Sequence, residues 1–389
     1  MQAIELFAGA GGLGLGVSRA GFKPKLVVEW DKHCEATLNA NRERGVGALK
    51  KWPEVRALDV RDIDYSAWAD KIDFVTGGPP CQPFSLGGKH KAHADARDMF
   101  PEAVRAVRET RPKAFLFENV KGLTRATFRS YFEYISLQMR HPYLTARDGE
   151  DWSDHLTRLE KHHTSGRQRD LEYRVVSQVL NAADYGVPQR RERVFFVGFR
   201  ADLGIEWSFP KPTHSQATLL WEQRDNGEYW ERNRVSRRAR ARSLRFDSGA
   251  EKLAAEPGTA AWVTTREAIA DLPDPEKRSS LNGWLNHTFQ PGARTYPGHT
   301  GSPLDEPAKT LKAGVHGVPG GENMMLRPDG SVRYFTVRES ARLQTFPDDF
   351  EFRGSWSEVM RQLGNAVPVK LAETIALDIK AKLNDQRRG

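Results

Sequence analysis

The sequence predicts an α/β fold, with a larger domain built on a mostly parallel sheet and a smaller, irregular domain. Over the first 120 residues, short apolar runs alternate with stretches of helical periodicity, which is the pattern of successive βαβ units. From residue 201 to residue 333 the chain is rich in Pro, Gly, Arg and Trp, and its periodicity is weak. We therefore expect residues 1–200 and 333–389 to form the first domain, and residues 201–332 the second.

The secondary-structure elements of the sheet domain are predicted from these patterns in chain order. Strands are expected at residues 4–7, 25–30, 56–60, 72–76, 114–118 and 193–199. Helices are expected at residues 12–20, 32–41, 129–138, 336–344 and 368–383. Ligands bind parallel sheets at the carboxyl ends of the strands, so the residues that follow each strand are candidates for function. Residues 124–169 are polar with little periodicity, and they form either a surface insertion or an extension of the surface that binds the substrate.

The composition favours a polyanionic partner and excludes several classes of protein. The net charge is +8, from 59 basic and 51 acidic residues, which suits association with nucleic acid. Two cysteines, Cys34 and Cys81, are too few for a disulfide framework or a cysteine-rich zinc site, and no metal site is predicted. No apolar stretch approaches the roughly 18–20 residues that cross a bilayer, and no basic leader is present. We expect a cytoplasmic protein.

The first three strand ends carry residues suited to a cofactor that contains adenosine. The turn at residues 7–12 is rich in glycine, which lets the backbone turn tightly and approach a ligand closely. Glu29 ends the second strand, where an acid can bind the two hydroxyls of a ribose. Trp30 beside it can stack on an adenine, and Asp59 can accept a hydrogen bond from the adenine amino group. These residues alone do not separate S-adenosylmethionine from a dinucleotide.

The turn after the fourth strand, Gly-Gly-Pro-Pro-Cys-Gln-Pro-Phe-Ser at residues 77–85, contains the sharpest chemical feature. A lone cysteine is usually a small buried apolar residue, but the prolines on both sides of Cys81 fix the direction of its thiol. Glu118 follows an apolar strand, where a helix N-cap is the alternative role. Arg191 and Arg193 alternate along the chain and so share one face, where cations would favour a thiolate. A solvated edge strand is the alternative for this pair.

Taken in chain order, these motifs resemble the cytosine-5 DNA methyltransferase family. The resemblance spans nearly the whole chain and depends on residues 7–12, 29–30, 79–81, 118–120, 189–193, 338–347 and 362–368. It implies a Rossmann-like catalytic domain with S-adenosylmethionine as the methyl donor and S-adenosylhomocysteine as the product. It also implies double-stranded DNA as the substrate.

The resemblance further implies a mechanism in which the Cys81 thiolate adds to carbon 6 of a cytosine flipped out of the duplex. Carbon 5 then accepts the methyl group. Glu118, with a raised pKa, would hydrogen-bond ring nitrogen 3 and the exocyclic amine. Arg193 would hold the cytosine oxygen, and Arg191 would act as a second cation. The base that removes the carbon 5 proton is not identified by the sequence, and water can serve.

Binding residues are also implied by the resemblance. The cofactor site is expected to involve Phe7, Gly9, Gly11, Gly12, Glu29, Trp30, Asp59, Pro80, Phe100, Asn365 and Ala366. The register at Phe100 is open, because Met99 stands where the family commonly has leucine or phenylalanine. DNA contacts are expected from Ser85, Lys89, Gln189, Arg232, Arg234, Arg237, Arg238, Arg240, Lys309 and Lys312. A solvated arginine-rich helix is the alternative for the arginine cluster. Residues 82–98 would form a mobile loop over the base, and residues 201–332 the target-recognition domain.

Other functions remain open on the sequence: a tRNA cytosine methyltransferase, a non-catalytic DNA-binding protein on the same fold, and a cysteine hydrolase. A hydrolase needs a histidine base beside the thiol, for which His90 and His93 are nearest in the chain. The basic region at residues 201–332 favours duplex DNA, because a tRNA enzyme needs no large sequence reader. By analogy of fold, we expect a monomeric bacterial modification enzyme that acts beside a restriction endonuclease without stable contact.

Overall fold

A seven-stranded sheet forms the centre of the computed structural model, which describes residues 1–80, 98–166, 171–243, 257–277, 283–297, 299–313 and 323–386. The strands are β1 (Gln2–Leu6), β2 (Lys23–Glu29), β3 (Arg56–Ala57), β4 (Phe74–Gly77), β5 (Ala114–Val120), β6 (Tyr173–Asn181) and β7 (Glu192–Arg200). They lie in the order β3-β2-β1-β4-β5-β7-β6. The pairs from β3 to β5 are parallel, whereas β7 is antiparallel to both β5 and β6. The predicted mostly parallel sheet is confirmed.

Helices connect these strands and continue beyond them. They are α1 (Gly12–Arg19), α2 (Lys32–Glu43), α3 (Phe100–Thr110), α4 (Arg129–Arg140), α5 (Trp152–Thr164), α6 (Gln216–Arg224), α7 (Glu228–Arg232), α8 (Arg237–Ser243), α9 (Thr265–Ile269), α10 (Val337–Leu343), α11 (Trp356–Asn365) and α12 (Val369–Asp385). Within the described ranges, none of the helices is both long and apolar enough to cross a membrane.

Residues 201–332 are built from short elements, in agreement with their weak periodicity. Besides α6 to α9, the strands are β8 (His214–Ser215), β9 (Ala260–Ala261), β10 (Ser302–Pro303), β11 (Met324–Leu326) and β12 (Val332–Tyr334). Strands β8 and β9 form a two-stranded sheet, and β10 to β12 form a three-stranded sheet. A small cluster of Leu219, Tyr229, Trp230, Val235 and Trp262 packs against Ala183 of the first domain.

The observed elements of the sheet domain differ from the predicted ones in five places. Two of them are helices α3 and α11, which were not predicted. Strand β3 has two residues, because the chain turns after it into a short 3-10 helix at Val60–Asp62. Helix α5 was not predicted, since His155 and Leu159 are its buried residues and supply almost no apolar period. Strand β6 was not predicted either. It lies at the edge of the sheet, and its residues 176–178 are exposed, so no apolar run marks it.

Three apolar clusters hold these elements together. On one face of the sheet, α3, α4 and α5 pack over Phe117 and Phe196. On the other face, α1 and α12 pack over Phe74 and Phe195. A third cluster joins α2, α10 and α11, and it includes Leu311 from the region predicted as the second domain. The two halves of the chain therefore share buried surface.

Glu5 is a buried acid at the centre of the sheet. It lies on β1 with 2% of its surface exposed, and it accepts a hydrogen bond from Thr76 on β4. Burial raises the pKa of Glu5 from its ordinary value of 4.5 to about 8, because the carboxylate loses its hydration. The folded protein therefore keeps Glu5 protonated near neutral pH.

We expect the free energy of unfolding to fall between pH 5 and pH 8 through this residue. The folded state binds the Glu5 proton more tightly than the unfolded state does. Its stabilising contribution is therefore complete below pH 4.5 and is lost as the pH rises to about 8. Urea unfolding across this range should show a smaller fall in Glu5→Gln than in the wild type. The exposed control Glu43→Gln should follow the wild type, and identical curves for all three proteins would contradict the assignment.

Candidate active site

Glu118 and Arg193 form a buried ion pair at the ends of two neighbouring strands. Glu118 is the fifth residue of β5, and Arg193 is the second residue of β7. Arg193 Nε lies 2.9 Å from Glu118 Oε1, and the two side chains are 14% and 10% exposed. Burial raises the pKa of Glu118, and the nearby charges of Arg193 and Arg191 oppose this rise. The direction agrees with the acid role predicted for Glu118.

The end of β4 is fastened beside this pair. Asn119 Nδ2 donates a 2.9 Å hydrogen bond to the carbonyl of Pro79, and Gly78 passes next to the Glu118 carboxyl. The carbonyl of Pro80, which is exposed, accepts a hydrogen bond of 3.0 Å from the Met99 backbone. Cys81 follows Pro80 directly, and Cys81, Ser85 and Lys89 lie outside the described residues. The sequence motif contained Asn119, but its anchoring role was not predicted, because only the fold brings it to Pro79.

Gln189 and Arg191 are fully buried and bind backbone groups of the C-terminal part of the chain. Gln189 donates to Leu343 O at 3.2 Å and accepts from Leu311 N at 3.1 Å. Arg191 donates to Leu311 O at 3.2 Å and to Gly364 O at 2.7 Å. One prediction is corrected: Gln189 is fully buried and is not placed to touch DNA. Arg191 donates to the protein's own carbonyls, and its charge also lowers the pKa of Glu118, so its role as a second cation stays a prediction.

Glu29 and Trp30 lie where the sequence places a cofactor. Glu29 accepts backbone hydrogen bonds from Gly9 at 2.6 Å, Trp30 at 2.9 Å and Asp31 at 2.7 Å, which fix its carboxyl group. Burial raises the pKa of Glu29. Trp30 is 67% exposed, so its ring is free of the core and available for stacking.

The glycines of the first turn serve different purposes. A Cβ built on Gly9, at φ +53°, would meet no atom within 4 Å, so the backbone there borders open space. A Cβ on Gly12 would lie 2.1 Å from the carbonyl of Val367, and one on Gly11 would lie 2.6 Å from Leu38. Gly11 and Gly12, predicted to line the cofactor site, are therefore required by the packing of α1.

The other residues predicted to bind the cofactor are placed less uniformly. Phe7 is half-buried with a left-handed backbone at φ +54°. Asp59 accepts a hydrogen bond from the Arg61 backbone at 2.9 Å, and its ion pair with the Arg61 side chain lowers the pKa of Asp59. Phe100 is fully buried at the start of α3, with its ring edge-on to Phe196 at 6.0 Å. It belongs to the core in this structure.

The C-terminal elements complete the same edge of the molecule. Asn365 is exposed at the end of α11, and Ala366 follows it with 6% exposure. Arg361 on α11 lies 2.7 Å from Asp31, which caps the N-terminus of α2. Residues more than 300 positions apart therefore meet beside Glu29 and Trp30.

The residues predicted to bind DNA differ in how much of their charge is available. Arg232 is paired with Glu222 at 2.6 Å and Glu267 at 3.1 Å, so the protein's own carboxylates compensate it. Arg240 donates to a backbone carbonyl at 2.9 Å. Arg234, Arg237 and Arg238 are exposed and have no ion pair within the described part of the chain. Lys309 donates to a threonine hydroxyl at 2.9 Å, and Lys312 is exposed.

Comparison with known proteins identifies the family to which the chain belongs. Residues 1–141 and 160–381 match the family described as C-5 cytosine-specific DNA methylase. The chain belongs to this family. The match leaves out residues 142–159, within the polar region that separates α4 from β6.

Similar proteins cover the full length of the chain. The type II methyltransferase M.PspPI of Psychrobacter sp. is 34% identical over 98% of this chain and 79% of its own length. M.FnuDI of Fusobacterium nucleatum is 31% identical over 100% and 96%. A DNA modification methyltransferase of an Escherichia coli prophage shares the fold, with a TM-score of 0.60 at 22% identity over 99% of each chain. The Dnmt2 methyltransferase of S. pombe gives a TM-score of 0.56 at 17% identity over 98% and 99%.

Because Gln189 is buried, we expect its substitution to lower the stability of the fold and to have no direct effect on DNA binding. Gln189→Ala leaves the Leu311 N–H and the Leu343 carbonyl unpaired, which should cost about 1–3 kcal/mol of stability. The exposed Gln178→Ala on β6 is the matched control and should change stability by less than about 0.5 kcal/mol. Thermal unfolding and DNA binding are measured together. If Gln189→Ala is as stable as the wild type but has lost DNA affinity, the predicted contact between Gln189 and DNA would be supported.

Proposed function

We propose that this enzyme, a cytosine-5 DNA methylase by family, uses Cys81 as its nucleophile and S-adenosylmethionine as its methyl donor. The observation that carries the proposal is the buried Glu118–Arg193 pair, which lies beside the strand end that leads into Cys81. A carboxyl group with a raised pKa and a guanidinium match the ring nitrogen and the oxygen on one edge of a cytosine.

In the proposed reaction, the Cys81 sulfur forms a bond to carbon 6 of the cytosine, which makes carbon 5 nucleophilic. Glu118 donates a hydrogen bond to ring nitrogen 3 and accepts one from the exocyclic amine. Arg193 donates to the carbonyl oxygen on carbon 2 and stabilises the negative charge that the addition draws into the ring. Carbon 5 would then take the methyl group, with S-adenosylhomocysteine as the leaving group. Loss of the carbon 5 proton to a base or water finally expels the Cys81 thiolate and restores the ring.

The residues at the ends of β1 and β2 fit S-adenosylmethionine, whose sulfonium group supplies an electrophilic methyl. The open space at Gly9 lets a ligand approach the backbone, and the fixed Glu29 carboxyl can accept from ribose hydroxyls. Trp30 would stack on the adenine, and Asp59 would accept from the adenine amino group. Phe7, Pro80 and Asn365 would complete the site.

Duplex DNA is the proposed substrate, and residues 201–332 are the proposed target-recognition region. The thiol of Cys81 cannot reach a stacked base, so the target cytosine must leave the helix. The exposed Arg234, Arg237 and Arg238 would contact phosphates, where cations raise affinity without reading sequence. Ser85, Lys89 and Lys312 would add contacts near the flipped base. The naming of relatives as type II methyltransferases supports a role beside a restriction endonuclease. We expect the methyltransferase to act as a monomer.

Replacement of Glu118 tests the acid role. Glu118→Gln keeps the shape of the side chain but cannot share a proton, so the rate of methyl transfer should fall by about 100-fold or more. Glu192→Gln is the matched control, because Glu192 is exposed at the start of the neighbouring strand β7 and pairs with Lys121. Transfer of labelled methyl groups to mixed-sequence DNA is the measurement. Equal rates for the two variants would remove Glu118 from the mechanism.

A trapping experiment tests the nucleophile and the substrate together. Duplex DNA with 5-fluorocytosine at the target should form a stable covalent adduct, because fluorine cannot leave as a proton. Cys81→Ser should form no adduct and should still bind S-adenosylmethionine and DNA. An adduct formed by Cys81→Ser would exclude this nucleophile. An adduct on tRNA and on no duplex would assign the enzyme to RNA, and mapping the methylated positions on DNA would give the recognised site.

A further inference from the structure

Three side chains converge at the base of the polar region that the family match leaves out. His141 follows the C-terminus of α4, His162 lies in the last turn of α5, and Glu172 precedes β6. His141 Nδ1 is 3.5 Å from Glu172 Oε1, and His162 Nε2 is 3.6 Å from the same oxygen. The three atoms all lie within 4.8 Å of one another.

These separations suit an ion better than direct hydrogen bonds. Hydrogen bonds between nitrogen and oxygen are about 2.7–3.2 Å long, so both contacts to Glu172 are too long. Around a tetrahedral zinc ion with bonds of about 2.0–2.1 Å, the ligand atoms are about 3.3 Å apart. The two distances to Glu172 are close to this value, and the third, between the two histidine nitrogens, is no longer than 4.8 Å.

His141 carries an unused nitrogen that points into the group. The residue is 5% exposed, and its Nδ1 has no hydrogen-bond partner in the described structure. A buried polar atom without a partner is costly, and such an atom in a native protein calls for a ligand or an ion. The other ring nitrogen, Nε2, pairs with His163 Nδ1 at 3.1 Å. Histidines that bind metals are oriented in this way through their second nitrogen.

We propose that His141, His162 and Glu172 bind one divalent transition-metal ion, for which zinc is the best match. Imidazole and carboxylate are ligands that zinc accepts, and two histidines with one glutamate leave a fourth position. The Tyr143 hydroxyl contacts His162 Nε2, so this hydrogen bond would have to break when the ion binds.

The ion would have a structural role. It would join the ends of α4 and α5 to the first residue before β6, and so fasten residues 142–159, which lie outside the family match, to the catalytic sheet. Leu159 and Leu171 already pack against that sheet, but α5 buries only two of its residues fully. The free energy of metal binding would add to the limited stability that this small apolar contact gives to α5.

Metal content and zinc titration of the full-length enzyme test the proposal. The protein is purified without a histidine tag, stripped with EDTA, and incubated with zinc chloride, and the bound zinc is counted by mass spectrometry after desalting. The wild type should take up about one equivalent and gain a few degrees in Tm. His162→Gln and Glu172→Gln should each lose most of this uptake and the gain in Tm. Cobalt chloride should give the visible absorption of a tetrahedral site in the wild type and not in these two variants.

A matched control variant and a measurement of folding distinguish loss of the metal site from loss of structure. His214→Gln replaces another half-buried histidine outside the group and should bind zinc like the wild type. Circular dichroism without metal should be the same for all four proteins, since the two variants keep the size of the side chains. No uptake by the wild type, or equal uptake by His162→Gln and Glu172→Gln, would overturn the proposal and leave a polar cluster without an ion.

Discussion

A carboxyl group kept out of water beside a guanidinium is the constraint on which the site depends. Glu118 and Arg193 lie on adjacent antiparallel strands, and the position of each is set by the ladder between β5 and β7. Burial makes the charged form of Glu118 costly, while the nearby cations make it cheaper. Burial is the larger of the two effects, so the pKa of Glu118 is raised. Arg191 lies two residues before Arg193, and it ties the start of β7 to the carbonyls of Leu311 and Gly364.

Much of the fold was predictable because apolar runs mark buried parallel strands. Strands β1, β2, β4 and β5 and helices α1, α2 and α4 were predicted within a few residues, since both faces of those strands are covered. The edge strand β6 and helix α5 were not, because an exposed face and buried histidine supply no apolar pattern. A single sequence gives no signal for such elements.

The residues of the site were predictable where the chemistry of the reaction determines the residue type. They were not predictable where packing determines it. Glu118, Arg193, Glu29 and Trp30 lie at strand ends as expected, because parallel strands end at one edge of a sheet. Gln189 and Arg191 were predicted as functional from the same motif. Only the three-dimensional contacts show that their polar groups are used by Leu311, Leu343 and Gly364. A polar side chain bound to distant backbone has no sequence signature.

The hydrogen bond between the Pro80 carbonyl and the Met99 backbone has a consequence for how this enzyme can change. It joins residues 80 and 99, which flank residues 81–97. The positions of the sheet and of α3 therefore do not depend on the length of this stretch. Lys312 and Asn323 meet in the same manner, through two hydrogen bonds of 3.0 Å. The length of either stretch can thus change without moving the scaffold, as long as the residues with a proposed function keep their places. Variation in substrate preference can proceed separately from selection for stability.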